Sequence, residues 1–171
     1  MLKKQLKNLL RRLYQLAEQA KSEEQRRKLK LLPTVNLDAV EVIGVNLEIG
    51  EQTYINRGTT LSTGKRSRIL IGRYCAIGRY VHIAAKTHAL TRPTQDEDHA
   101  NHAEQEADVL IGDYVWIGDH VYVREGVTIG DYAVIATNSV VNRDVKPFEI
   151  VGGAPIRHIR YNTEHYRYQH H

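Results

Sequence analysis

Residues 111–145 read IGDYVW IGDHVY VREGVT IGDYAV IATNSV VNRDV when broken every six positions. Each group opens on Ile or Val: Ile111, Ile117, Val123, Ile129, Ile135 and Val141. Before a polar interruption the same step takes in Ile71, Ile77 and Ile83. Glycine follows at Gly72, Gly78, Gly112, Gly118 and Gly130. Four residues after each Ile or Val stands a small or branched residue: Cys75, Val81, Thr87, Val115, Val121, Val127, Ala133, Ser139 and Val145. A period of six is neither helical nor a plain strand alternation.

Such a period marks a hexapeptide β-solenoid. The expected fold is all-β, a left-handed parallel β-helix built as a triangular prism. Each hexapeptide supplies one short side and a corner, and three make a coil of eighteen residues. The aliphatic residue points inward and stacks on its counterparts above and below. The glycine after it is expected where a corner needs positive φ or close backbone approach. A weaker repeat precedes the regular one at Ile43-Gly44, Ile49-Gly50, Ile55-Asn56 and Leu61-Ser62. Ten residues separate Leu61 from Ile71, so four extra residues bulge near Thr63–Arg68. About four coils result. A β-sandwich is the alternative, and nine positions in register weigh against it.

The 171 residues suit one compact domain with an extension. Cys75 is the single cysteine and has no partner for an internal disulfide, which fits a reducing compartment. The chain is expected to be cytoplasmic: no stretch is apolar enough to span a membrane, and the N-terminus lacks the pattern of a secretory signal. Residues 1–30 hold ten Lys or Arg against three Glu, a net of +7, whereas the whole chain is +4. The remainder is therefore −3, and no nucleic-acid partner is expected for the body.

Three segments are expected: an amphipathic helical segment 1–33, the repeat domain 34–160 with a loop insert 88–108, and a tail 161–171. The helix covers 2–31. Leu2, Leu6, Leu9, Leu13, Leu16 and Ala20 form a heptad seam, with Lys3, Lys4, Lys7, Arg11 and Arg12 on other faces. This seam packs on the chain's own prism or on a neighbouring subunit; alternatively the basic helix rests on anionic lipid at the inner membrane face. Leu31-Leu32-Pro33 ends it. The insert carries His88, His99 and His102 and many carboxylates. A long polar excursion from a rigid solenoid points to function.

The prism interior is filled by aliphatics, so any site lies outside it or between subunits. Residues 111–145, followed by Gly152-Gly153-Ala154-Pro155 and by Arg157 and Arg160, resemble the hexapeptide-repeat O-acetyltransferases. That family includes galactoside, maltose and bacterial polysaccharide O-acetyltransferases, and the resemblance covers about residues 69–160. It implies an acetyl-CoA donor, a homotrimer, and sites in the grooves between subunits. By the same resemblance Asp119, Thr137, Asn142 and Arg143 line the groove, and Arg157 and Arg160 meet the CoA phosphates. Arginine forks suit phosphates on general grounds too. Trp116 packs on the pantetheine arm or buttresses a subunit contact.

The family's catalytic histidine lies near the start of the long loop, which makes His88 the candidate general base. In the galactoside and maltose enzymes that histidine stands farther beyond the repeat. His82 and His120 occupy outward repeat positions and are rivals. The acceptor is expected to be a hydroxyl of a sugar, or of a polysaccharide or glycolipid precursor, touched by Asp96, Glu97, Asp98, Glu104 and Glu106. Alternatives are a nucleotide-sugar N-acyltransferase, a non-catalytic scaffold, and a γ-class carbonic anhydrase holding zinc through His82, His88 and His120. No metal is expected in the acetyltransferase reading.

Overall fold

A computed structural model describes residues 2–88 and 104–162. The chain divides into two compact units, residues 1–31 and 32–171. The first is the helix α1, Leu2–Lys28, rich in Leu, Lys, Arg and Gln, all good helix formers. It stops before the proline signal. Lys30 takes a left-handed φ of 51°, and the Leu31 and Lys30 amides donate to Arg26 O at 3.0 Å and Arg27 O at 3.2 Å. This is a Schellman-type close, which satisfies carbonyls the helix would otherwise strand.

The second unit starts with strands β1 (Asn36–Leu37), β2 (Glu41–Ile43) and β3 (Leu47–Ile49). Next come β4 (Tyr54–Ile55), β5 (Thr60–Ser62), β6 (Ile69–Ile71), β7 (Ala76–Ile77) and β8 (His82–Ala84). Strands β9 (Lys86–His88) and β10 (Glu104–Glu106) form the stem of the excursion. The run resumes with β11 (Val109–Ile111), β12 (Trp116–Ile117), β13 (Tyr122–Val123), β14 (Thr128–Ile129), β15 (Val134–Ile135) and β16 (Val140–Val141). It closes with β17 (Glu149–Gly152) and β18 (Arg157–Tyr161).

These strands fall into three main sheets that the chain visits in rotation. Sheet I has the order β1-β4-β7-β12-β15-β17-β18, sheet II β16-β13-β8-β5-β2, and sheet III β14-β11-β6-β3. Pairing within each is parallel except for β17 with β18. In the uninterrupted part, Trp116 pairs with Val134 and Tyr122 with Val140, eighteen residues on in each case. The chain thus coils once per eighteen residues, as the period of six predicts.

The inward residues stack in register. On sheet I these are Ile55, Ile77, Ile117, Ile135 and Val151; on sheet II Leu61, Ile83, Val123 and Val141; on sheet III Ile49, Ile71, Ile111 and Ile129. All are buried. Each contributes about 1.5–3 kcal/mol over an exposed counterpart, which holds strands of only two or three residues in place.

Four expectations need correction. Five coils and a closing strand are stacked rather than about four, because β1, β2 and β3 form a full coil ahead of β4. Ile43 is exposed rather than interior, because the first coil is one residue out of register: Val42 pairs with the inward Leu61, and Ile43 pairs with Ser62. Thr87 is not a wall residue but part of the antiparallel β9–β10 stem, since the chain leaves the prism at Ala85. Gly44 has the expected positive φ of 95°, but in the regular repeat the glycines after the aliphatic positions are not the residues with positive φ. That conformation falls two positions later, on Tyr74, Tyr80, Tyr114, His120, Tyr132 and Asn138, at φ of 54–58°. The glycines instead allow close approach: a Cβ on Gly72 would meet Gly112 O at 2.5 Å.

A left-handed residue other than glycine costs about 1–2 kcal/mol. Ring stacking offsets part of that at the corner between sheets III and I. There Tyr74, Tyr114, Tyr132 and Phe148 form one ladder with centroids 4.8–5.0 Å apart and nearly parallel planes. The bulge expected between Leu61 and Ile71 spans the corner from sheet II to sheet III. The Asn46 side-chain amide ties it down by donating to Gly64 O, Lys65 O and Ser67 O.

Candidate active site

The residues singled out for the donor separate into two groups. Five lie along sheet I and its corner with sheet II. On the outer face of sheet I, Tyr54, Ala76, Trp116, Val134, Ile150 and Arg160 stand in one row, paired strand by strand. Trp116 is 59% exposed although its neighbour Ile117 is fully buried, because successive strand residues face opposite ways. Arg157 pairs with Gly152, at the end of β17 that leads into the sheet I–II corner. Thr137 and Asp119 occupy that corner one and two coils earlier, respectively. Asp119 Oδ1 accepts from Arg79 N at 2.8 Å, and Asp119 O accepts from Asn138 N at 3.0 Å. Thr137 is exposed, and its backbone closes over Gly118.

The second group lies across sheet II, at its corner with sheet III. His88 ends β9 with an exposed side chain, opposite Glu104. Lys86 pairs with Glu104 at 3.0 Å, which braces the stem. Asn142 and Arg143 follow β16 at the same corner. Arg143 is drawn toward the end of the coil, donating to Asp144 O at 2.8 Å and Glu149 Oε1 at 3.3 Å. Within one chain, therefore, His88 and the Trp116–Arg157–Arg160 group lie on opposite sides of sheet II.

Sheet II's outer face fills the space between. Glu41, Thr60, His82, Tyr122 and Val140 are paired in a row across it. Thr60 donates to Glu41 at 3.3 Å, and His82 meets the Tyr122 ring edge-on at 5.3 Å. Partial desolvation pushes the His82 imidazole below its ordinary value, against the pull of Glu41. His120 sits beside Asp119 and stacks on Tyr80 at 5.1 Å.

Glu106 was expected to face an acceptor. Its Oε2 instead accepts from Arg66 N at 2.7 Å and Ser67 N at 3.0 Å, which fastens the stem to the bulge. Asp96, Glu97, Asp98, His99 and His102 lie outside the described residues.

Glu125 escaped the motif reading. Its carboxylate is buried at the His88 corner, held by Arg124 at 2.5 Å and Gln105 at 3.5 Å. The signal was present as Val123-Arg-Glu-Gly126 in place of the usual Ile-Gly-Asp-Tyr. Among the described residues no group of three or more His, Cys, Asp or Glu is gathered as a metal ion would need.

The family model described as "Bacterial transferase hexapeptide (six repeats)" matches residues 108–143. A crystal structure of a hexapeptide-repeat-containing acetyltransferase from Vibrio cholerae O1 biovar eltor, complexed with acetyl-CoA, superposes with a TM-score of 0.70 at 31% identity. The match covers 84% of this chain and 77% of that one. The chain belongs to the hexapeptide-repeat acetyltransferases.

Among curated relatives, galactoside O-acetyltransferase of Escherichia coli K12 is 34% identical over 117 residues, 68% of this chain and 55% of that protein. A chloramphenicol acetyltransferase of Agrobacterium fabrum is 34% identical over 107 residues, 54% of this chain and 51% of that protein. The chain spans about half the length of these curated relatives.

Proposed function

We propose that this protein transfers an acetyl group from acetyl-CoA to a hydroxyl of a sugar, or of a polysaccharide or glycolipid precursor. The observation that carries the reading is family membership together with the row of Trp116, Asp119, Thr137, Arg157 and Arg160 along one edge. The exposed Trp116 face suits the thin pantetheine arm. Arg157 and Arg160 offer guanidinium forks to the phosphates at the end of the stack.

In the proposed reaction His88 accepts the proton of the acceptor hydroxyl. The freed oxygen attacks the thioester carbonyl, and backbone N–H groups at the corner hold the oxyanion that develops. Collapse expels the CoA thiolate, which takes up the proton from the imidazolium. No acyl-enzyme is formed.

His88 and the donor row stand apart within one chain, so the reading includes a homotrimer. In a cyclic assembly the His88 corner of one copy faces the sheet I edge of the next, giving three equivalent grooves. A left-handed coil, a repeat domain over residues 34–160 and a cytoplasmic location belong to the same proposal. A second reading keeps the donor and base but places an antibiotic hydroxyl in the acceptor position; the chloramphenicol acetyltransferase relative favours it.

The test is a calorimetric titration of acetyl-CoA into the full chain and into an Arg157→Ala/Arg160→Ala variant. Saturable binding that the double variant weakens supports the donor and its position. No binding by the natural protein overturns the transferase reading. Acetyl transfer to a panel holding galactosides, maltose and chloramphenicol then separates the two acceptor classes.

A further inference from the structure

The solenoid accounts for the proposed chemistry and leaves α1 unused. Residues 2–17 of this helix carry five cations, Lys3, Lys4, Lys7, Arg11 and Arg12, and no carboxylate. Leu6, Leu9, Leu10, Leu13, Leu16 and Tyr14 are each 53–68% exposed. At 3.6 residues per turn the five leucines share an arc of about 120°. That arc is broader than a two-position coiled-coil seam, because Leu10 lies beside the seam rather than in it. Residues 18–28 differ: they mix both charges and contribute only Ala20 to the apolar side.

We propose that residues 2–17 of α1 lie flat on an anionic lipid bilayer, leucines in the acyl boundary and cations among the headgroups. Charge selects this occupant. The N-terminal end of a helix is already electropositive, and the first turn of α1 adds lysines with no acidic residue to balance them. A uniformly negative surface relieves that conflict. A second copy of the helix would bring five more cations to the same face. Residues 31–171 together carry only −3, with both signs interspersed. No described helix is long and apolar enough to cross a membrane, so the helix rests on the surface rather than spanning it.

The test floats the full chain with vesicles of phosphatidylcholine alone and with about 30% phosphatidylglycerol, at low and at high salt. The expected result is binding to the anionic vesicles only, reduced about tenfold or more by high salt, by Leu9→Glu/Leu13→Glu, and by Lys7→Glu/Arg11→Glu. Thermal melting of both variants should match that of the natural chain, which shows the solenoid intact. Equal partition onto neutral and anionic vesicles, or none onto either, overturns the proposal. So does retained flotation of the leucine variant with a changed mass in light scattering, which would mean that a second copy covers the face.

Discussion

Arg143 and Glu149 meet across the end of the coil stack, guanidinium to carboxylate at 3.3 Å, with the carboxylate 5% exposed. Glu149 shares its inward face with Val151 and closes the apolar column. It also accepts from Lys146 N at 2.9 Å and lies 3.2 Å from His158 Nδ1. Burial raises its proton affinity, but the Lys146 amide, Arg143 and His158 together bring it below the ordinary 4.5. A carboxylate depressed in the folded state stabilises fully above its unfolded value and loses that contribution as pH falls through the folded value. Melting temperature should therefore drop below about pH 4.5. Glu149→Gln should cost about 1–3 kcal/mol at neutral pH and flatten the acid limb, both read by thermal melts across pH.

Trp116 and Ile117 are neighbours with opposite consequences. Ile117→Ala empties a position stacked between Ile77 and Ile135 and should cost about 2–5 kcal/mol. Trp116→Ala removes an exposed side chain, so its effect on stability should be below about 1 kcal/mol. The proposed donor role requires it to weaken acetyl-CoA binding nonetheless. Denaturant melts and calorimetry on the two variants separate these effects; unchanged affinity in Trp116→Ala would remove it from the site.

Gly118 links the fold to the donor edge. A methyl placed there would lie 2.7 Å from both Thr137 N and Thr137 Oγ1, so the Thr137 corner must shift. Gly118→Ala is expected to raise KM for acetyl-CoA more than it lowers kcat, with a loss of stability of about 1–3 kcal/mol. Steady-state kinetics and melting of this single variant test the position of Thr137 in the groove.

His88→Ala should lower kcat about 10²–10⁴-fold while leaving acetyl-CoA affinity within about twofold. The rivals are tested in parallel. His82→Ala and His120→Ala should each retain most of kcat if His88 is the base. A loss confined to His82→Ala would move the proton acceptor onto the Glu41–Thr60–Tyr122 face of sheet II.

Much of the solenoid was readable because its cause is local. An inward residue every six positions must be aliphatic, and a stacked coil leaves no room for a Cβ beside Gly72 or Gly118. Those demands print directly into the chain, as does the acid-free basic face of α1. What the chain did not display was which residue bends. The left-handed corner falls on Tyr74, Tyr114 and Tyr132, residue types that do not advertise it, because stacking between coils offsets a cost that a single coil would bear alone.

The chain by itself determined the period of six, the coil of eighteen and the place of the excursion, since each depends on contacts repeated at fixed spacing; it undercounted the coils, because the irregular first strands do not show the repeat. Tertiary structure alone decided how the site candidates divide. Trp116, Arg157 and Arg160 come to one edge because β18 doubles back on β17, and His88 goes to the opposite side of sheet II because the chain leaves at that corner. It likewise turned Glu106 from a candidate acceptor contact into a bulge clamp and brought Arg143 to Glu149. Such pairings join residues 6–40 positions apart whose meeting depends on where a coil ends or a loop departs, and no periodicity records that.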